Sequence, residues 1–255
     1  MNHLVIWKDF RLFYGSHPRT VTEHSHPIVQ LVLAVRSTFL SKDDTGIWTN
    51  KKGLLVAPNY LHECDAKNVP IISVEIDPES SLGKWVLTNQ LKNRPILNYP
   101  SNDIATIDID EFSVCLNNED WLAIRTMIEK VFSFRQTDQT SQKDKRIQDV
   151  LDFISNNINQ NITSERLMEV AHLSESRLIH LFKEVMGLPI RNYILWHRLQ
   201  IVIELILEGN LLTAASYEAG FADQAHMTRT FTKMIGIPPS LIAKNSKFVQ
   251  VSFPQ

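Results

Sequence analysis

Apolar and polar positions follow two different rhythms along this 255-residue chain. In the first 80 residues the apolar and β-branched residues come in short runs, at 3–6, 10–14, 29–35, 38–40, 46–49, 54–57 and 71–76. Clusters of Gly, Pro, Asn and Asp separate them, which is the pattern of strands joined by turns. So many short strands at this spacing predict an antiparallel barrel or sandwich. Residues 80–91 suit a helix. Over 118–135 the period lengthens, and Trp121, Ile124, Ile128, Val131 and Phe132 fall on one helical face. Such a stripe has to be covered, either by its own domain or by a second copy of the chain. Residues 136–145 are polar, and we read them as a linker.

From Asp144 the period is helical throughout. Ile147, Val150, Leu151, Ile154 and Ile158 share a face. Thr163 is placed to cap a short helix holding Leu167, Val170 and Ala171, and Ser174 to cap the next. The buried face of that second helix is Leu178, Leu181, Phe182 and Val185, and Gly187 stops it. A long helix over 190–208 ends at Gly209. A short helix over 214–219 follows. Asp223 then caps a helix with Met227, Phe231 and Met234 inside, closed by Gly236 and the Pro238–Pro239 pair.

Within this helical half the chain repeats itself. Ala171-His-Leu-Ser-Glu-Ser-Arg-Leu-Ile-His-Leu-Phe182, followed by Gly187 and Pro189, matches Ala219-Gly-Phe-Ala-Asp-Gln-Ala-His-Met-Thr-Arg-Thr-Phe231, followed by Gly236 and Pro238. Each copy is a short helix, a tight turn and a second helix, with a small Ala where the two cross. That is the layout of a helix-turn-helix. With the apolar positions turned inward, Ser176, Ile179, His180 and Lys183 face out in the first copy, and Gln224, Ala225, Thr228 and Arg229 in the second. Gln and Arg suit bidentate contacts with base edges, and Ile179 suits a thymine methyl. Ser, Thr and Lys suit bases or phosphates. The plain alternative is a helical bundle with merely solvated outer faces. Two matched units favour the DNA reading.

Composition narrows the reading. The net charge is −2, so a chain basic over its whole surface is excluded. Residues 143–255 carry 12 basic and 11 acidic side chains, against 14 and 17 in residues 1–142, so any nucleic-acid site has to be a local stripe in the second half. Two cysteines, Cys64 and Cys115, make no disulfide framework, and a cytoplasmic location is expected. No apolar run approaches the roughly 18 residues of a membrane span, and residues 1–8 lack the pattern of a secretory signal. No membrane partner is expected. There is no Gly-x-Ser-x-Gly, no phosphate-binding loop and no Cys-x-x-Cys.

The region from about 145 to 244 resembles the AraC/XylS transcription regulators. The strongest match is Ala215-Ser-Tyr-Glu-Ala-Gly-Phe-Ala-Asp-Gln-Ala-His-Met-Thr-Arg-Thr-Phe231 with Gly236-Ile-Pro-Pro239; Leu173-Ser-Glu-Ser-Arg-Leu-Ile-His-Leu-Phe-Lys183 with Gly187 matches too. The resemblance implies that each second helix enters a major groove and that the long helix holds the two about one DNA turn apart. By position, base contacts then fall on Ser176, Ile179, His180, Gln224, Ala225, Thr228 and Arg229. Val202 stands where the family usually has Ala. The family's closing Pro-x-x-Tyr-Arg is replaced by Ser240-Leu-Ile-Ala-Lys244.

The first half resembles the cupin-like sensor domain that many such regulators carry. Gly53-Leu-Leu-Val-Ala-Pro58 followed by His62 looks like the Gly-x4-Pro-x3-His strand and turn, and His24-Ser-His26 like the first histidine pair. Gln30 stands where cupin enzymes usually have Glu. Three imidazoles, His24, His26 and His62, with Glu63 or Cys64 nearby, fit one divalent metal. Three readings stay open for this half: that metal, a metal-free pocket for an organic effector, or dimerisation alone. No cofactor is otherwise expected.

The resulting expectation is an α+β chain with an N-terminal antiparallel β cupin-like barrel and a C-terminal all-α domain with two helix-turn-helix units. Its parts are a sensor over 1–100, a helical dimerisation or packing segment over 101–135, a linker over 136–145, the double helix-turn-helix over 146–244 and a tail over 245–255. The expected function is an effector-responsive transcriptional regulator and not an enzyme. Double-stranded DNA is the expected partner, with a small-molecule effector, RNA polymerase and a second copy as further ones. The rivals are a metal-dependent cupin enzyme with a helical accessory domain and a protein-interaction adaptor.

Overall fold

The computed structural model of the chain describes residues 2–16, 20–42, 46–100, 105–135, 144–245, 249–252 and 254. It divides into two units. One holds Met1–Thr137 and Phe248–Gln255, the other Asp138–Lys247.

The first unit is built on strands. β1 (Asn2–Ile6), β2 (Phe10–Gly15), β3 (Val21–His24), β4 (Val29–Ala34), β5 (Phe39–Lys42), β6 (Trp48–Lys51), β7 (Gly53–Val56), β8 (His62–Asp65), β9 (Ile71–Ile76), β10 (Ile96–Tyr99) and β11 (Val249–Ser252) form two sheets. The larger runs β10-β7-β4-β9-β2-β1-β11 and the smaller β3-β8-β5-β6. All pairs are antiparallel except β1 with β11.

Strand alternation gives the large sheet two apolar faces. One, with Val32, Leu54, Val56 and Ile71, meets Phe39 and Cys64 of the small sheet in a single core. The other, with Leu12, Leu31, Leu33, Val74 and Ile76, packs under helices. These are α1 (Ser81–Trp85), continued by a π-helical turn at Val86–Leu91, then α2 (Ile109–Asn117) and α3 (Trp121–Val131). Phe112, Leu116, Ile124, Ile128, Val131 and Phe132 are buried in that core. The helical stripe is thus covered by its own sheet. Arg125 grips Asp9 through two hydrogen bonds of 2.8 Å and fixes α3 beside the β1–β2 turn. Val114 and Leu122 remain exposed.

The second unit is α4 (Lys145–Asn156), α5 (Ser164–Ala171), α6 (Glu175–Met186), α7 (Ile190–Leu207), α8 (Leu212–Glu218), α9 (Gln224–Ile235) and α10 (Pro239–Asn245). Two apolar clusters fill it, one under α4–α6 and the start of α7, the other under the rest of α7 with α8 and α9. Fully buried Val202 fills its place in the second. No helix among the described residues is long and apolar enough to cross a membrane.

Several expectations need correction. Residues 136–143 of the expected linker lie outside the described residues, while Asp144 and Lys145 already belong to the cap and start of α4. The expected tail is not featureless, because residues 249–252 add a strand to β1. The helical segment contains two helices, with Asp108 capping the first and Asp120 the second. In α6 it is Met186 that is buried, and Val185 lies at the edge of the core.

Candidate functional site

Each helix-turn-helix copy is held by its own caps. In the first, Thr163 Oγ1 accepts the Arg166 N–H at 3.4 Å to start α5. His172 ends that helix in the left-handed region, with φ of 52°. Ser174 precedes α6 but makes no side-chain cap bond. Ala171 is fully buried where the two helices cross, and Leu178, Leu181 and Phe182 turn inward. Ser176, Ile179, His180 and Lys183 are all exposed, Ile179 to 48%.

In the second copy Gly220 makes the turn with φ of 82°. A Cβ there would stand 2.9 Å from the Asn159 backbone, so only glycine fits both the angle and the contact. Asp223 Oδ1 accepts the His226 N–H at 2.6 Å and starts α9 firmly. Met227, Phe231 and Met234 are buried. Ala225 and Arg229 are exposed, whereas Gln224 and Thr228 are half-buried. The Gln224 Oε1 atom accepts a hydrogen bond from the Thr213 hydroxyl at 2.5 Å. A residue expected to be free is therefore already oriented by α8.

The link between the copies involves residues that pattern reading passed over. α7 has 18 residues, a length of about 27 Å at about 1.5 Å per residue. From its middle, Arg198 donates to the Ile158 carbonyl at 2.9 Å and to the Gln160 carbonyl at 2.6 Å. Both carbonyls lie in the loop before α5, beside the Asn159 backbone that Gly220 abuts. One loop is thus gripped by the linking helix and touched by the second copy's turn. The available signal was a cation, Arg198, in the middle of a largely apolar helix. A cleft of about 430 Å³ opens where the copies approach, with Ile179, Arg191, Arg198 and His226 among its walls.

The first unit brings its three expected histidines together. His24 and His62 are paired positions of β3 and β8. The Asn59 N–H bonds the His26 carbonyl at 2.7 Å and ties the loop of His26 to the turn before His62. All three rings are buried, with centroids 4.2 Å apart for His24 and His62, 5.0 Å for His26 and His62, and 5.5 Å for His24 and His26. One ring nitrogen of each lies within 4.8 Å of the others. Burial pushes the rings well below the ordinary histidine range, to about 4 for His24, about 3 for His26 and about 4 for His62; for His24 and His26 the neighbouring rings add to it. The rings are neutral at pH 7.

Gln30 completes the cluster. Its Oε1 lies 3.0 Å from His26 Nε2 and 3.3 Å from His62 Nε2, and its Nε2 donates to Ser73 Oγ at 3.2 Å. Glu75, the ladder partner of Gln30, shares that face of the sheet, and burial raises its carboxyl against the pull of Arg11. The two neighbours expected around His62 play other parts. Glu63 pairs with Lys42 at 3.3 Å. Cys64 donates to Ser41 Oγ at 3.8 Å, and burial lifts its thiol to about 11, so it stays protonated.

Comparison with known proteins agrees with this geometry. A family model described as "Helix-turn-helix domain" matches residues 167–245. The uncharacterized HTH-type transcriptional regulator YobQ of Bacillus subtilis (strain 168) is 32% identical over 90 residues, covering 35% of this chain and 37% of that protein. The melibiose operon regulatory protein of Escherichia coli (strain K12) is 25% identical over 162 residues, covering 62% and 53%. The chain thus spans about half or less of the length of these curated relatives. Among solved structures, ToxT from Vibrio cholerae O395 shares the fold with a TM-score of 0.56 at 14% identity, over 94% of this chain and 98% of that one. The matched model lies within the second unit, over α5 to α10, and accords with the AraC/XylS resemblance of residues 145–244. Both relatives are named as regulators.

Proposed function

We propose that this chain is a sequence-specific DNA-binding transcriptional regulator, acting as an effector-responsive activator in the bacterial cytoplasm, without enzymatic activity of its own. The observation that carries this is the pair of matched helix-turn-helix units in one helical unit, each exposing the outer face of its second helix. Arg229 and Gln224 read base edges through bidentate contacts. Thr228, Ser176 and His180 add hydrogen bonds, Ile179 and Ala225 meet thymine methyls, and Lys183 meets phosphate. α7 sets the spacing, so that α6 and α9 enter successive major grooves on one side of the duplex.

In this reading the strand-built unit senses a small molecule and shifts the population between DNA-competent and incompetent states. ToxT, whose fold it shares, has been solved with (E)-4-(8-methylnaphthalen-1-yl)but-3-enoic acid bound and supports that role. A homodimer through the outer faces of α2 and α3, where Val114 and Leu122 are exposed, and a contact with RNA polymerase belong to the same reading. The test is selection of duplexes from a random pool by the full-length protein, with and without candidate inducers. Enrichment of a motif with two parts about one helical turn apart is expected. No preference over random competitor in either state would end this reading.

A further inference from the structure

We propose that Arg198 is a positioning residue for DNA recognition: by pinning the loop between α4 and α5 against the turn of the second copy, it fixes the angle between α6 and α9 and with it the spacing of the two operator half-sites. This rests on the DNA-binding reading and deepens it, because it names a residue that sets the spacing.

A shared core does not hold the two copies together. The two apolar clusters of the helical unit have no residue in common. α7 gives Ile190, Tyr193 and Ile194 to the first and Leu195, Leu199, Val202 and Ile206 to the second. Where the copies approach they leave a cleft of about 430 Å³, with Ile179 of α6 and His226 of α9 among its walls. A helix that joins two separate cores fixes their distance. Any give in either core turns one recognition helix against the other, and a contact away from the helix axis is what resists that turn.

The loop from α4 into α5 supplies the contact. Arg198 Nε donates to the Ile158 carbonyl at 2.9 Å, and Nη2 donates to the Gln160 carbonyl at 2.6 Å. Two donors of one planar guanidinium, on acceptors two residues apart, hold the loop in place and in orientation, as a single-point donor would not. Between those acceptors lies Asn159, whose backbone would stand 2.9 Å from a Cβ on Gly220. Gly220 makes the turn that leads into α9. The second copy is thus registered against a loop of the first, and α7 grips that loop from its own middle. Burial lowers the Arg198 guanidinium from its ordinary value, so its charge stands partly out of water and is answered by the two carbonyls.

DNA converts angle into spacing. Half-sites one turn apart are separated by about 34–36 Å and about 10–10.5 base pairs. Each added base pair therefore moves the second groove by about 3.4 Å and turns it by about 35°. Recognition helices held at one angle meet one spacer length, whereas helices free to swing meet several.

The test uses full-length protein and duplexes whose spacers differ by single base pairs around the selected motif. A one-base-pair change should weaken binding by the unmutated protein at least about tenfold. For Arg198→Met, which keeps an unbranched apolar stem and removes both donors, the same change should cost no more than about threefold, with base preferences inside each half-site unchanged. Gly220→Ala should shift or broaden the preferred spacer, since loop and turn can no longer keep their contact. Spin labels at the exposed positions Glu184→Cys and Lys233→Cys, in a Cys115→Ser background, read the same geometry without DNA. One narrow distance distribution is expected with Arg198 present and a broad one in Arg198→Met. Should neither Arg198→Met nor Gly220→Ala fold, the labelled chain with Arg198 in place decides alone, and a broad distribution there overturns the proposal. An Arg198→Met spacer profile equal to that of the unmutated protein overturns it too. So does an equal loss at every spacer with a salt slope lower by about one unit, which would make Arg198 a phosphate contact. Failure of the unmutated protein to select any motif counts against the DNA-binding reading instead, and the label distances then still report on the clamp.

Discussion

The two recognition units share a plan, yet they differ in how their second helices begin and in what they offer. α9 starts on a 2.6 Å cap from Asp223, and its Gln224 is already held by Thr213. α6 starts without a side-chain cap and exposes Ile179. The second copy is therefore the more firmly organised of the two, and in the proposed reading its polar groups are set for hydrogen-bond readout before DNA arrives. The first offers a more apolar and less constrained face, suited to positioning and to methyl contacts. The same backbone motif thus carries two different outer faces in one chain.

Experiments can break or sharpen this contrast. The largest effect is expected in the cores, where Phe182 and Phe231 are both fully buried. Phe182→Ala and Phe231→Ala should each cost about 3–5 kcal/mol in denaturant unfolding; a cost in only one would mean that the units are not equivalent folds. Next comes Arg229→Ala, expected to weaken specific binding by about 1–3 kcal/mol and to relax one base position. Unchanged selectivity would remove Arg229 from the readout.

Capping gives a smaller and more direct comparison. Asp223→Ala should lower stability by about 0.5–2 kcal/mol. Ser174→Ala should stay within about 0.5 kcal/mol of the unmutated protein, as its hydroxyl makes no cap bond. Equal losses at the two sites would erase the distinction. Smallest is Lys183→Ala, expected to weaken all sequences alike and to reduce the salt slope by about one unit in titrations at several ionic strengths. A slope equal to that of the unmutated protein would take Lys183 off the phosphate contacts.

The helical half was largely legible in the sequence, because caps, helix period and repeat all act locally. Thr163, Gly187, Asp223 and Gly236 stand where the pattern put them. The Gln224–Thr213 bond was not legible, since it spans 11 positions and depends on how α8 and α9 cross. In the strand half, β4, β7 and β9 were clear from their apolar runs. β3 and β8 were not, since Val-Thr-Glu-His and His-Glu-Cys-Asp carry little of the apolar signal that marks a strand. Those polar strands deliver His24 and His62. The residues that hid the strands are the ones that build the histidine cluster. Their proximity rests on β3–β8 register, a tertiary fact. The π-helical turn at Val86–Leu91 had no local signal that we recognise.

The strand at Val249–Ser252 has a consequence for biosynthesis. It takes the place of β1 as the outer strand of the large sheet, yet it is translated only after the entire helical unit. Until then the hydrogen-bonding groups of β1 stand open as a template for foreign strands. A polypeptide ending near residue 245 would therefore leave β1 as the outer strand, with the ladder groups that β11 otherwise takes up left to water.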